Sequence, residues 1–363
     1  MAVPLVAGVV GVVLPVIFNR QVEFLLVLFG VVVWFLWHER LAVRSMFTQP
    51  IARWLVSGLV VAVTAFPVVV QYSESTIASE RNFYGTLKVV ERDTVYGGET
   101  HTVRAIMNGQ IVHGLEPVDR VGALPATSYY AERSGLDFAI RSFTERGESP
   151  QVAVVGAGVG ITSAYCEDVQ RLDYIEINPL VIELGKEYFN YFDQCPEKTS
   201  IYINDGRRYF TELDEQVYDV IVIDAFTDDA IPAHLLTTEA INDAYLPHLA
   251  PDGIIAFHIS NQYLNLVKPI SGVTAGLSDH ELVLVETTEA LDLFQYPSVW
   301  VLLTPPTVAR ILVDKHPEIS SIEEKGLRWT DDRYSVLQAL SLSGSSAWET
   351  YVRRVKTVFG EWL

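Results

Sequence analysis

The sequence predicts an α/β protein built on an open seven-stranded sheet with helices on both faces, preceded by a small β-rich domain and by membrane-spanning helices. Three observations lead there. From Gln151 onward, short apolar runs alternate with stretches of helical pattern. Several of those runs end on a glycine or an acid, where an open α/β sheet carries its ligand. The first 72 residues hold three long uncharged runs.

The uncharged runs are Val3 to Phe18, Phe24 to Trp37 and Trp54 to Tyr72. The third is long enough to cross about 30 Å of hydrocarbon, and the first two need tilt or a thinned bilayer. Residues 1–72 therefore read as three transmembrane helices. The alternative is a signal peptide and a buried hairpin, which the lack of a basic stretch before the first run opposes. Arg40, Arg44 and Arg53 lie between the second and third runs, and only Arg20 lies between the first and second. The positive-inside rule then puts the Arg-rich loop in the cytoplasm and the domain after Tyr72 outside. The expectation is an integral membrane protein with an extracytoplasmic globular part. The first run begins almost at Met1, which suits a descendant or a fragment of a larger multi-span protein.

Residues 73–130 read as the small β-rich domain. "FYGTLKVVERD" and "HTVRAIMNGQIVHGLE" alternate in strand fashion around Gly97-Gly98 and Asn108-Gly109. Residues 131–343 carry the seven strands, in "QVAVVGAG", "RLDYIEIN", "SIYIND", "YDVIVIDAF", "GIIAFHIS", "ELVLVETT" and "VWVLLTP". Between them "PLVIELGKEYFNYF" and "TTEAINDAYLPHL" read as helices. Such alternation builds a Rossmann-like sheet covered on both faces. Residues 344–363, with "SSAWETYVRRVKTVFGEWL", read as an amphipathic helix that packs on the domain or lies on the membrane.

The strand ends carry the chemistry. Gly156, Gly158 and Gly160 give G-x-G-x-G after the first strand, where glycines let the backbone turn tightly and approach a ligand at a helix N-terminus. A plain strand–helix turn would use the same residues. Glu176 ends the second strand, 20 residues after Gly156, where an acid can accept hydrogen bonds from both ribose hydroxyls. Asn204, Asp205 and Gly206 close the third, which places Asp205 near an adenine amino group; an Asx turn or a helix cap would also suit it. Asp224 closes the fourth. A glycine loop with a ribose acid also suits NAD. The third-strand acid and the form of the glycine loop favour an S-adenosyl ligand, whose sulfonium is cationic and has no pyrophosphate to cradle.

Together "VAVVGAGVG", "DYIEINPLVIELGKEYF", "INDGRRYF", "YDVIVIDAF" and "LAPDGIIAFHISN" resemble the spermidine synthase (polyamine aminopropyltransferase) family. "RNFYGTL", "HGLE", "SYYAERSG", "DAIPAHLLTTEA", "HISNQYLNL" and "WTDDRYSVLQAL" are similar to its membrane-fused, spermidine synthase-like branch, in order over residues 81 to 342. The resemblance implies a seven-stranded Rossmann-like, S-adenosylmethionine-dependent transferase sheet. It implies a displacement in which an amine attacks the aminopropyl carbon of decarboxylated S-adenosylmethionine and methylthioadenosine leaves. The amine is protonated at neutral pH, so an acceptor must first take its proton. Asp224 matches the family's acceptor, the first Asp of a D-S-S-D loop. Asp228 or Asp229 matches the second, in a loop one residue longer here, and acids there would hold the far ammonium of a diamine. The family's Tyr-Gln pair is replaced by "SYYAERSG", in which Tyr129 or Tyr130 takes the tyrosine's place and the glutamine is missing. The acid that reads putrescine has no clear match. Methyl transfer from ordinary S-adenosylmethionine, or a non-catalytic binding or sensor domain, therefore stays open beside aminopropyl transfer.

The remaining signals are weaker. His234, after Pro232, would orient a substrate or cap the next helix. His113 and His258 suit core or supporting positions, and one acid of "WTDD" (Trp329 to Asp332) would line the pocket. No His/Asp spacing typical of a metal site occurs, so no metal is expected. Cys166 and Cys195 are a disulfide if the domain lies outside, or two free thiols. Two cysteines exclude a disulfide-rich scaffold and a Cys-based zinc cluster. A net charge of −19 argues against nucleic acid and is compatible with a small cationic amine as substrate. The lipid bilayer is the other expected partner, and a homodimer is compatible.

Overall fold

A computed structural model describes residues 75–340, apart from 97, 110, 121, 216, 226–231, 262–263, 289–293 and 323–325. The three apolar runs of residues 1–72, the segment 344–363, and Asp228 and Asp229 lie outside the described residues. The expectation of an integral membrane protein is corrected: among the described residues no helix is long and apolar enough to cross a membrane. The longest α-helices there have ten residues, about 15 Å of rise against the ~30 Å of a hydrocarbon core.

The chain divides into two compact units, Met1–Glu91 and Arg92–Leu363. In the first, β1 (Thr76–Asn82) pairs antiparallel with the start of β2 (Gly85–Tyr96), Asn82 opposite Gly85. The Asn82 side chain closes the turn by accepting from the Tyr84 N–H at 2.9 Å. In the second unit, β3 (Glu99–Asn108) and β4 (Ile111–Pro117) form a hairpin whose turn contains the expected Asn108-Gly109.

The remaining strands form one mixed sheet. They are β5 (Gln151–Val155), β6 (Arg171–Glu176), β7 (Thr199–Ile203), β8 (Tyr218–Ile223), β9 (Leu249–His258), β10 (Glu281–Thr287), β11 (Ser298–Thr304) and β12 (Ile319–Ser321). Their spatial order is β12-β10-β11-β9-β8-β5-β6-β7. The expected seven strands become eight, because β12 pairs with β10; three residues are too few for an alternation to show in a sequence. Strands β5 to β9 are parallel to one another, whereas β10 and β11 form an antiparallel pair and β11 joins β9 antiparallel.

Val220 to Ile223 of β8 are fully buried, as expected for a central strand covered on both faces. Burying each such side chain contributes about 1.5–3 kcal/mol. Ile221 and Ile223 face a core shared with α3 (Gly206–Glu212) and α4 (Val267–Thr274). Helix α1 (Gly135–Thr144) packs against β8, β9 and β11. The chain runs from β5 outward to β6 and β7, then returns to β8 on the other side of β5. That reversal opens a crevice beyond the carboxyl ends of β5 and β8, where open α/β sheets bind ligands.

Three helical expectations are shortened by side-chain chemistry. Helix α2 (Pro179–Tyr188) starts as predicted, with Asn178 accepting from the Leu180 N–H and Pro179 in the first turn. It stops at Tyr188, because Asn190 is held by the buried carboxylate of Glu116 through its backbone N–H (2.7 Å) and its side chain (2.6 Å). The segment after Thr237 becomes a π-helical turn, Ala240–Tyr245, followed by a 3-10 turn containing Pro247. The glycine loop leads into a five-residue 3-10 helix, Ile161–Tyr165, so little helix dipole stands behind it. Helix α5 (Pro306–Lys315) follows β11.

Candidate functional site

Gly156, Gly158, Gly160, Glu176 and Asp224 gather where β5, β6 and β8 end. Gly156 and Gly158 have φ of +94° and +52°, a region that disfavours side chains. A Cβ on Gly156 would stand 2.2 Å from the Asp224 carbonyl oxygen, and one on Gly158 2.7 Å from that of His113. The loop is thus pressed between the end of β8 and the hairpin strand β4. Gly160, also at positive φ, starts the 3-10 turn.

Glu176 finishes β6 beneath this loop and is buried. One carboxylate oxygen accepts the Ala157 N–H at 3.0 Å and the other the Asn178 N–H at 2.8 Å. The Ile177 N–H is a third backbone donor to the same carboxylate. Burial raises its pKa, against the lowering effect of those backbone donors. Glu176 therefore shapes the glycine loop as well as presenting an acceptor beside it. Asp205, past β7, caps α3 by accepting the Arg208 N–H at 2.9 Å, and its other oxygen meets His234 Nε2 at 3.1 Å. That bond to His234 holds its carboxyl below the ordinary value. Gly206 follows as the first residue of α3. His234 thus stands beside Asp205 past β7, and β5 and β6 lie between that strand and β8, which Asp224 follows.

Asp224 sits one residue beyond β8, its side chain 5 % exposed. Its backbone N–H donates to Val155 at 2.8 Å, fixing it to the end of β5. The Tyr130 hydroxyl donates to one carboxylate oxygen, and His258 Nδ1 lies 2.6 Å from the other. Tyr130 is wholly buried, and burial together with the charge of Asp224 keeps its phenol protonated. Tyr129 stacks on the His258 ring, centroids 4.2 Å apart, and the Trp300 ring lies 4.7 Å from the same imidazole. The tyrosine segment is itself held in place. Ser128 donates to Phe294 and accepts from Tyr296, and the Tyr165 hydroxyl donates to the Tyr130 carbonyl at 2.7 Å.

The acid of "WTDD" that finds a partner is Asp331. It makes a two-pronged pair with Arg207 at 2.6 Å on each side and accepts the Thr237 hydroxyl at 2.8 Å. Cys166 and Cys195 form a disulfide, with Cα atoms 5.7 Å apart. It ties the turn after the glycine loop to the segment after α2. Both sulfurs are thereby withdrawn from metal ligation, although Glu197 stands close to them.

The residue that reading the sequence undervalued is His258, together with Ser260. It ends β9 as Asp224 ends β8, so extending the strand-end rule to the fifth strand would have found it. What this crevice offers is a buried carboxylate held by Tyr130 and His258 beside a glycine loop and a second acid. Such a site suits a ligand that is cationic near Asp224 and carries hydroxyls near Glu176.

Comparison with known proteins adds to this geometry. Residues 146–272 match the spermine/spermidine synthase domain. A polyamine aminopropyltransferase of Vibrio vulnificus (strain CMCP6) is 36 % identical over 94 residues, 24 % of this chain and 31 % of that protein. One from Alkaliphilus oremlandii (strain OhILAs) is 33 % identical over 124 residues, 32 % of this chain and 43 % of that protein. The chain thus spans less than half the length of these curated relatives. The crystal structure of a probable spermidine synthase from Corynebacterium glutamicum ATCC 13032 shares the fold. It has a TM-score of 0.51 at 14 % identity, and covers 72 % of this chain and 98 % of that one.

Proposed function

We propose, because this chain belongs to the spermine/spermidine synthase family, that it is an aminopropyltransferase acting on decarboxylated S-adenosylmethionine and a small, putrescine-like amine. The observation that carries this reading is Asp224: a buried carboxylate at the switch point of the sheet, oriented by Tyr130 and His258. Asp224 takes a proton from the incoming ammonium. The freed amine lone pair forms the new C–N bond as the C–S bond breaks, and the sulfonium electrons stay on sulfur in methylthioadenosine. The product amine keeps the charge that the sulfonium loses. Gly156, Gly158 and Gly160 admit the nucleoside, Glu176 receives its ribose, and Asp205 with Gly206 borders its base. Tyr129 and Tyr130 line the acceptor side. The acidic pair Asp228 and Asp229 supplies negative charge for the far end of a diamine, by analogy with the family's loop.

The test is product identity. Purified protein given decarboxylated S-adenosylmethionine and putrescine should release methylthioadenosine. Release of S-adenosylhomocysteine from ordinary S-adenosylmethionine would support methyl transfer in its place. Release of neither, with nucleoside still bound, would leave a binding domain.

A further inference from the structure

The parallel pairing of β8 with β9 places Ile223 opposite Phe257. The next residues, Asp224 and His258, therefore leave the two strands side by side, pointing to the same face. His258 Nδ1 stands 2.6 Å from Asp224 Oδ1, with both side chains at most 5 % exposed. Two bare acceptors at that distance would repel, so a proton lies between them; with Asp224 ionised it belongs to Nδ1. Nε2 is then an acceptor, and Ser260 Oγ is 2.8 Å from it. The Ser260 oxygen itself receives the Val299 N–H at 2.8 Å. Its own proton is directed at Nε2, since the other acceptor, the Val299 carbonyl, is at 3.5 Å. Donors thus run one way: Val299 to Ser260, Ser260 to His258, His258 to Asp224. Tyr129 and Trp300 hold the plane of the imidazole.

We infer that His258 is the positioning residue for Asp224, and that the charge on its ring decides whether Asp224 can act as a base. The inference rests on the transfer reaction proposed above. In the neutral ring, Nδ1–H fixes one carboxylate oxygen and leaves lone pairs on Asp224 for the ammonium proton. In the imidazolium, a full positive charge stands beside that carboxylate, makes it a poorer base and repels a cationic amine. His258 neither gains nor loses a proton in the transfer; the proton goes from amine to Asp224 and then to solvent. Among the described residues, the groups around the ring include Asp224 from the end of β8, Tyr129 and, through Asp224, Tyr130 from the segment before α1, Trp300 on β11 and Ser260 from its own chain segment. Glu176 adds negative charge near Asp224 from β6.

Two variants test this in the full chain. His258→Ala should lower kcat about 100-fold while the affinity for nucleoside stays within about threefold of wild type. His258→Asn keeps an amide N–H near the position of Nδ1 and cannot titrate. It should recover kcat to within about tenfold of wild type and displace the acid limb of the kcat/KM profile for the amine, leaving only the limb of Asp224 itself. Unchanged kcat in His258→Ala overturns the inference. So does a fall in nucleoside affinity that parallels turnover, or an acid limb in His258→Asn at the wild-type position. If wild-type protein releases no methylthioadenosine, the transfer reading fails first. The tautomer of His258, read by ¹⁵N NMR, then decides the pairing without turnover, its signals being assigned by their loss in His258→Asn. Wild type should carry the ring proton on Nδ1, and Asp224→Asn should move the ¹⁵N shifts of that ring; unmoved shifts would refute the coupling.

Discussion

The two sides of the crevice are built over different distances in the chain. On the glycine-loop side, Glu176 bonds residues 19 and 2 positions away, and Asp205 caps a helix three residues on. On the other side, the partners of Asp224 are His258 and Tyr130, 34 and 94 residues away. The first arrangement is a set of local strand-end motifs that forms wherever β5, β6 and β7 lie in register. The second exists only when the segment before α1 and the end of β9 meet the end of β8. One side can therefore stay intact while the other is changed.

The largest separation of the two should come from Asp224→Asn, which keeps the shape and removes the proposed base. Turnover should fall by about 10²–10⁴-fold with nucleoside affinity within about threefold, measured by product release and by calorimetric titration. A parallel loss of affinity would mean that the two sides are one unit. Gly156→Ala should instead injure both, since its Cβ would meet the Asp224 carbonyl and its φ is +94°. An unfolding free energy lower by about 1–3 kcal/mol, with weaker nucleoside binding, is expected from urea titration; a variant as stable as wild type would show that the loop yields.

Glu176→Gln acts on the glycine-loop side alone. One oxygen facing a backbone N–H becomes an NH₂ group, so nucleoside affinity should fall about tenfold while kcat at saturation changes little. A kcat effect larger than the affinity effect would contradict that division. The smallest effect belongs to His234→Ala. His234 is the main cause of the lowered pKa of Asp205. A depressed carboxyl stabilises the fold above its unfolded value, near 3.8, and the gain is lost as pH falls through the lower folded value. The variant's urea midpoint should thus lie slightly below wild type at about pH 5 and converge with it at about pH 2. A difference that persists at the lower pH would assign the effect to packing.

The local chemistry of this protein was written in its sequence. Alternation located the seven main strands, the glycine spacing and the acids at strand ends marked the glycine-loop side of the crevice, and the helix read from Pro179 starts there. Such signals are legible because each depends on neighbours a few residues apart. Tertiary structure alone decided the rest. It ended α2 at Tyr188 through Glu116, paired Asp331 with Arg207, joined Cys166 to Cys195, and added β12 to the sheet edge. It also brought His258 and Tyr130 onto Asp224. None of these partners shares a period or a spacing with the residue it meets. They are brought together by strand register and by burial, which appear only once the sheet is assembled.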